Sequence, residues 1–138
     1  MPLRADEDVA ALLKSAKVIA MVGASDRPDR ASHGVMRFLQ TRGYKVIPVN
    51  PTLAGQTIHG EPVLATLAEV HDPIDIVDIF RNGSAAGQVI DDAIAVGAKA
   101  VWTQLGVYND EAVARAEAAG LKAVVDRCPK IEIPRLGL

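Results

Sequence analysis

The chain has 138 residues, the size of one ordinary domain; 49% of them are hydrophobic and only 4% are aromatic. This composition is typical of an α/β core rich in Val, Ile and Ala, and it excludes a disordered chain. The formal net charge is −2, so no overall positive charge attracts nucleic acid or an anionic membrane, and we expect neither as a partner. Any anion site must therefore be built locally.

Cysteine content and the N-terminal segment bear on the compartment. Cys128 is the single cysteine, which excludes an internal disulfide and a zinc cluster and favours a reducing environment. Segment 1–17 carries Asp6, Glu7 and Asp8 and has no long apolar run, so it is not a secretory signal. No apolar stretch approaches the roughly 20 residues needed to span a bilayer. We therefore expect a cytoplasmic protein.

The order of the predicted elements indicates the fold class. Five short apolar runs are rich in β-branched residues and lack strict alternation, which predicts strands buried on both faces. Strands alternating with helices predict right-handed βαβ units, hence an α/β fold with a doubly wound, five-stranded parallel sheet in three layers, as one domain over 1–138. In chain order we predict helix 6–16, strand 17–23, helix 32–43, strands 44–50 and 75–80, helix 84–97, strand 99–104, helix 109–120 and strand 122–127.

Two smaller features complete this prediction. Segment 51–73 reads as mostly loop with one short helix near 64–70. Ser84 and Asn109 are predicted to cap the helices that they precede, because short polar side chains satisfy free N–H groups at helix starts.

The loop after the first strand is the strongest candidate for a binding site, because ligands of open parallel sheets bind beyond the strands' carboxyl ends. Gly23 permits a tight turn, and the helix starting near Ser32 offers free backbone N–H groups. Arg27 and Arg30 could donate charged hydrogen bonds to phosphate. The loop also exceeds the two to six residues usual for such connections, which favours a phosphate site over a merely solvated loop.

The same region does not have the pattern of an NAD site. The loop lacks G-x-G-x-x-G, and the second strand ends in Asn50 and Pro51 rather than in a carboxylate that would bind ribose hydroxyls. Lys45 lies at the start of that strand. A ligand with more phosphate than NAD is therefore favoured.

The remaining reactive side chains do not form a catalytic set. His33 is a candidate for phosphate binding or acid–base work, with a structural role at the helix start as an equal alternative. His59 and His71 lack a spacing typical of metal ligands, and no nucleophile, base and oxyanion donors occur together. We therefore predict no catalytic residue and no metal site.

Several segments, taken in order, resemble a known family. They are VGAS, SHGV, GYKVIPVNP, IHGEPV, DIVDIFR, WTQLGVYN and VVDRCP. This series is similar to the small stand-alone CoA-binding proteins and to the CoA-binding N-terminal domain of the succinyl-CoA synthetase alpha subunit. The resemblance runs from about Val9 to Pro134. It implies a Rossmann-like fold and coenzyme A as ligand, whose pyrophosphate and 3′-phosphate would account for the cationic loop.

The resemblance also implies which residues bind coenzyme A. By motif position they are Gly23, Ala24, Ser25 and Asp26 in the first phosphate turn, Lys45, Asn50 and Pro51 on the second strand, and Ile79, Phe80 and Arg81 after the third. Arg27, Arg30 and His33 join them on physical grounds alone. The synthetase's phosphorylated histidine lies in a second domain and has no counterpart here, so synthetase chemistry is not implied.

These observations lead to one hypothesis and two alternatives. The hypothesis is non-catalytic binding of coenzyme A or an acyl-CoA, compatible with a protein partner or a homo-oligomer. The alternatives are an NAD(P)-binding oxidoreductase subunit and an interaction subunit of an acyl-CoA synthetase. Cys128 precedes a proline at a strand end, where a buried, unreactive thiol is favoured; an exposed thiol there could form a mixed disulfide with coenzyme A.

Overall fold

A computed structural model describes residues 1–138, and its centre is a five-stranded parallel sheet. The strands are β1 (Val18–Val22), β2 (Lys45–Val49), β5 (Ile76–Ile79), β6 (Ala100–Thr103) and β7 (Lys122–Val124), with β3 (Thr57–Ile58) and β4 (Glu61–Pro62) in a separate antiparallel hairpin. The spatial order is β2-β1-β5-β6-β7. The chain leaves β1 toward β2 on one side and later returns to β5 on the other, so the strand order reverses between β1 and β5.

Five helices cover both faces of the sheet. They are α1 (Asp6–Ser15), α2 (Ala31–Thr41), α3 (Gly83–Ala95), α4 (Asp110–Ala118) and α5 (Pro129–Arg135). Apolar side chains of α1, α2 and α5 join one core cluster, and those of α3 and α4 join a second on the opposite face. This confirms the three-layer, doubly wound, Rossmann-like fold. None of the helices combines the length and the apolar character that crossing a membrane requires.

The burial of the central strands explains why their sequences do not alternate. On β1, Ile19 and Met21 face the first cluster while Ala20 faces the second, and all three are buried. Both faces of the sheet are therefore apolar. Trp102 on β6 is fully buried, as expected for a core residue, and its indole Nε1 donates a hydrogen bond to the Arg127 carbonyl at 2.7 Å.

Two local features differ from the sequence prediction. Asn82, not Ser84, caps α3: the Asn82 side chain accepts from the Ala85 N–H at 3.0 Å, while the Ser84 hydroxyl donates to Asn82. The expected cap at Asn109 is confirmed by its bond from the Ala112 N–H. The β3–β4 hairpin and α5 were not predicted, whereas the short helix expected near 64–70 is present as a 3₁₀ turn, Leu67–Glu69.

Candidate phosphate-binding site

A cleft of about 470 Å³ opens at the carboxyl edge of the sheet, between the loops that follow β1 and β5. This is the point where the strand order reverses, the usual ligand position in doubly wound sheets. The lining contains three arginines and no acid, so the cleft suits an anion. The lining residues are Gly23, Ser25, Arg27, Arg30, Ala31, Ser32, Asn50, Phe80 and Arg81.

Gly23 brings the two loops together. Its φ is +87°, in the region that favours glycine, and its N–H donates to the Val49 carbonyl at 3.0 Å. A Cβ at this position would lie 2.5 Å from the Phe80 carbonyl oxygen and 3.1 Å from Cδ of Arg81. The backbone after β1 can therefore approach the backbone after β5 only because residue 23 has no side chain.

The loop between β1 and α2 is folded back onto the first turn of α2. The Ser25 N–H donates to the Ser32 hydroxyl at 3.0 Å, and the Arg27 N–H donates to the Ser25 hydroxyl at 3.1 Å. The Arg30 N–H donates to the Arg27 carbonyl at 3.0 Å. Both serines thus shape the loop, and the three N–H groups are occupied within it.

The start of α2 supplies free donors to the cleft. Arg30 occupies the N-cap position without a side-chain cap, and the first turn contains no acid. The backbone N–H groups of Ala31 and Ser32 have no partner within the chain, and both residues line the cleft. A helix start with unpaired N–H groups carries partial positive charge and binds anions.

The three arginines that line the cleft differ in whether a carboxylate pairs with their guanidinium group. Arg27 Nε lies 3.6 Å from the Asp29 carboxylate, and both side chains are exposed. Arg30 and Arg81 form no ion pair or hydrogen bond through their guanidinium groups. In contrast, the arginines Arg115 and Arg135 are bound to carboxylates at 3.0 and 2.8 Å. Arg30 and Arg81 therefore present unpaired charge to a ligand.

Asn50 ties the end of β2 to the loop after β1. Its Nδ2 donates to the Ala24 carbonyl at 2.8 Å, and its Oδ1 accepts from the N–H and hydroxyl of Thr52 at 3.0 and 2.8 Å. The side chain is thus held by the protein itself. Its contribution is to fix the wall of the cleft.

Six of the residues singled out from the sequence, Lys45 among them, do not line the cleft. The side chains of Ala24 and Ile79 are fully buried in the core. Asp26 is exposed outside the cleft, and Pro51 lines an adjoining groove. The ring centroids of His33 and His59 lie 4.1 Å apart, and His59 Nε2 donates to the His33 carbonyl. These contacts match the structural role that was the alternative to phosphate binding for His33.

Lys45 also lies away from the cleft, contrary to expectation. It is the first residue of β2, at the amino edge of the sheet, about 13 Å from the carboxyl edge at strand rise. Its ammonium group pairs with Asp72 at 3.1 Å. All strands of the sheet run in one direction, so a residue that begins a strand cannot share a site with residues that follow one.

The adjoining groove, of about 340 Å³, shares Arg81 with the cleft and is mainly apolar. The sequence does not predict this groove, because segment 51–73 and the outer surface of α3 carry no recognisable motif. The lining residues are Val22, Val49, Pro51, Ala65, Thr66, Leu67, Arg81, Ala85, Gln88, Val89 and Asp92.

Asp78 and Cys128 are buried titratable groups that lie outside the cleft. Asp78, in the middle strand β5, is fully buried; its Oδ1 accepts from Gln104 Nε2 at 2.8 Å and its Oδ2 has no partner. Burial raises the pKa of Asp78 to about 7. The only sequence signal was an acid inside the apolar run DIVDIF. Cys128 is 8% exposed, and burial raises the pKa of its thiol, as expected of an unreactive cysteine.

Comparisons with known proteins identify the family to which the chain belongs. The model of a family described as "CoA binding domain" matches residues 17–134. The chain is 37% identical over 124 residues to the uncharacterized protein YneT of Bacillus subtilis, covering 90% of each. It is 38% identical to a solved Thermus thermophilus protein, cell-free ID.343, covering 96% of this chain and 99% of that one with a TM-score of 0.92.

A larger structure matches in part. In the dinucleotide-forming acetyl-coenzyme A synthetase 1 of Ca. Korarchaeum cryptofilum, 25% of the chain aligns with 78% of this one, at 28% identity and a TM-score of 0.66. The family model spans most of the chain, and the smaller relatives match over nearly their whole length. The chain therefore belongs to the CoA-binding domain family.

Proposed function

We propose that this protein is a single-domain binder of coenzyme A or of a CoA thioester and that it leaves the ligand chemically unchanged. The observation that carries the proposal is the acid-free cleft, in which two unpaired arginines flank the uncapped start of α2. Coenzyme A presents a pyrophosphate and a 3′-phosphate, and guanidinium groups and helix starts are the donors that proteins use for such groups. Membership of the CoA-binding domain family supports the same ligand.

The adjoining groove fits the base of such a ligand. It meets the cleft at Arg81, so a nucleotide with phosphates in the cleft could place its ring between Val22 and Val89. Ligand sites are usually apolar with few polar groups, and a volume of about 340 Å³ falls within their usual range. Pro51 would then contact the base, which retains it as a proposed binding residue.

The chemistry of the lining supports binding without catalysis. No histidine, cysteine or carboxylate lines the cleft. The hydroxyls of Ser25 and Ser32 are engaged by backbone N–H groups of the loop, and no base lies beside them. A nucleophile needs an adjacent base and an oxyanion site, and these residues supply neither.

A second candidate is a subunit that completes an acyl-CoA synthetase. The partial match to an acetyl-coenzyme A synthetase favours it, because that match joins a domain of this type to a longer chain. Affinity purification of the tagged protein tests it: a larger partner with ATP-dependent ligase activity supports this candidate, and recovery of the protein with CoA alone supports the stand-alone binder.

Calorimetric titration with CoA tests the proposal at its cationic residues. Arg30→Ala and Arg81→Ala should each weaken CoA by about 10- to 100-fold, since a charged hydrogen bond contributes about 1.5–3 kcal/mol. Arg27→Ala should weaken CoA binding less than the other two substitutions, because the Arg27 guanidinium already pairs with Asp29.

Arg115→Ala is the matched control. Arg115 is an exposed arginine on α4 that is held by Asp91, so its loss should leave CoA affinity unchanged. Wild-type affinity in both Arg30→Ala and Arg81→Ala would contradict the proposed site.

A further inference from the structure

A hollow of about 520 Å³ lies beside β2, the strand at one edge of the five-stranded sheet. Ile47 lines it, and Val49, two residues further along the strand, belongs to the core cluster that α3 and α4 cover. Over that face α3 packs on β5 and β6, and α4 packs on β7. Beside β2 the face is bordered instead by the segment of the 3₁₀ turn, and the hollow lies between that segment and the strand.

The hollow is separate from the proposed nucleotide site. It shares no residue with the phosphate cleft or with the adjoining groove. Lys45, which begins β2 at the amino edge of the sheet, lines the hollow. The 3₁₀ turn lies between the two depressions, since Leu67 lines the groove and Ala68 lines the hollow. An occupant of the hollow would therefore not compete with a nucleotide.

The charged groups that line the hollow are mostly acidic. Glu61 forms no ion pair and no side-chain hydrogen bond, and Glu69 accepts only from the Thr66 hydroxyl, at 3.3 Å. Asp72 pairs with Lys45, the one lysine of the lining, at 3.1 Å. Two carboxylates therefore border the hollow without a cationic partner. The surface is complementary to a positively charged group.

Apolar side chains lie between these carboxylates. Ile47, Leu64 and Val70 all contribute to the lining, and Ile47 is only 7% exposed. An arginine side chain matches this combination, because its methylene stem packs on apolar surface while its guanidinium group reaches a carboxylate. The planar guanidinium group can also donate two parallel hydrogen bonds to one carboxylate, which the ammonium group of lysine cannot do.

We propose that this hollow is a docking site for an arginine side chain presented by a partner protein. The exposure of its rim favours a protein over a small cation, because Pro62, Ala68 and Glu69 are exposed and small-molecule sites enclose most of the ligand. The charge of the rim disfavours a symmetric pair of copies. A two-fold interface places the same patch of both subunits together, which would set Glu61 and Glu69 against their own counterparts.

Titration with a defined peptide tests the proposal. The probe is a short blocked peptide of alternating leucine and arginine, and the same peptide with neutral citrulline in place of arginine is its control. Backbone amide NMR signals of the labelled protein should shift in segments 45–47 and 61–72 and not in the phosphate cleft. Glu61→Gln and Glu69→Gln should each weaken binding of the arginine peptide about two- to fivefold, the upper range for exposed ion pairs.

Glu7→Gln is the matched control variant. Glu7 is an exposed acid on α1, so its substitution changes the net charge equally at a distance from the hollow. It should leave peptide affinity unchanged. Binding that Glu7→Gln weakens as much as Glu61→Gln does would reflect general charge attraction and overturn the docking site.

Three other outcomes would also overturn the proposal. They are amide shifts confined to residues outside the hollow, equal binding of the arginine and citrulline peptides, and no binding of the arginine peptide at all. Sedimentation supplies a further check on the occupant. A wild-type dimer that Glu61→Gln dissociates would assign the hollow to a second copy of this chain instead of a partner protein.

Discussion

At the scale of single residues, Asp78 is a carboxyl group that the fold removes completely from water. It lies on the middle strand with one oxygen unpartnered, and burial raises its pKa to about 7 from an ordinary 3.8. The folded protein therefore holds a proton that the unfolded chain loses near pH 4. This contribution to stability is fully present below about pH 4, falls as pH rises toward 7, and does not change further above that value.

Asp78→Asn should remove this pH dependence. The amide keeps an acceptor for Gln104 and carries no charge, so we expect the variant to be about 1–3 kcal/mol more stable than wild type at pH 8. Below pH 4 the advantage should disappear. Urea denaturation followed at pH 4, 6 and 8 measures the difference.

Asp75→Asn is the matched control because its effect should have the opposite sign. Although burial acts to raise the pKa of Asp75, hydrogen bonds from the N–H groups of Val18 and Lys17 and the charge of Lys99 lower it. The stabilisation that the Asp75 carboxylate contributes is therefore present at neutral pH and lost on acidification. Asp75→Asn should consequently destabilise the protein at pH 8. A stability difference between Asp78→Asn and wild type that is the same at all three pH values would refute the buried-proton interpretation.

At the scale of elements, the docking of α5 depends on one carboxylate. Glu132 is buried and accepts from Arg127 Nη1 at 2.7 Å and from Arg135 Nη2 at 3.0 Å. Hydrogen bonds from Arg135 and then Arg127 lower its pKa below the ordinary 4.5. Arg135 also reaches Asp6 on α1 at 2.8 Å, so Glu132 joins the end of the chain to its beginning.

We expect Glu132→Gln to lower the free energy of unfolding by about 1–3 kcal/mol at pH 7, since it leaves two arginines beside a neutral group. Asp91→Asn removes an exposed pair with Arg115 and should cost at most about 1 kcal/mol. Urea denaturation compares the two variants. Equal costs would show that the Glu132 pair is no stronger than a surface pair.

The same elements show what could be predicted from the sequence. The β-branched runs and the glycines after α2, α3 and α4 placed all five strands of the main sheet and four of the five helices. Helix α5 was not predicted from the sequence because Pro129 and Pro134 interrupt its helical pattern of apolar residues. Its anchoring contact is also distant in sequence, since Asp6 is 129 residues from Arg135. The β3–β4 hairpin has two residues per strand, too few to show alternation.

The candidate site was predictable in part for similar reasons. Parallel topology alone places the residues after β1 and β5 at one edge, so Arg27, Arg30 and Arg81 could be expected together. The apolar groove could not be expected, because it forms only when segment 51–73 folds against α3. The sequence also could not show that Arg30 and Arg81 lack an ion-pair partner, because that depends on which carboxylates the fold brings close to them.

At the scale of the whole molecule, the distribution of charge determines which nucleotide should bind. The chain carries a net charge of −2, yet three arginines meet at one acid-free cleft. An NAD site needs a carboxylate after β2 for the ribose hydroxyls, where this chain has Asn50 and Pro51. A 3′-phosphate would be repelled by such a carboxylate and attracted by arginines. The absence of the acid therefore favours coenzyme A.

The thermal denaturation midpoint with different nucleotides tests this account most directly, because a ligand that binds only the folded state stabilises it by mass action. At equal concentration, CoA should raise the midpoint more than NAD, NADP or ATP. Dephospho-CoA, which lacks only the 3′-phosphate, should raise it less than CoA, and added salt should narrow the gap because the arginines are partly exposed. Equal stabilisation by CoA and NAD, or by CoA and dephospho-CoA, would contradict the assignment of the cleft to coenzyme A.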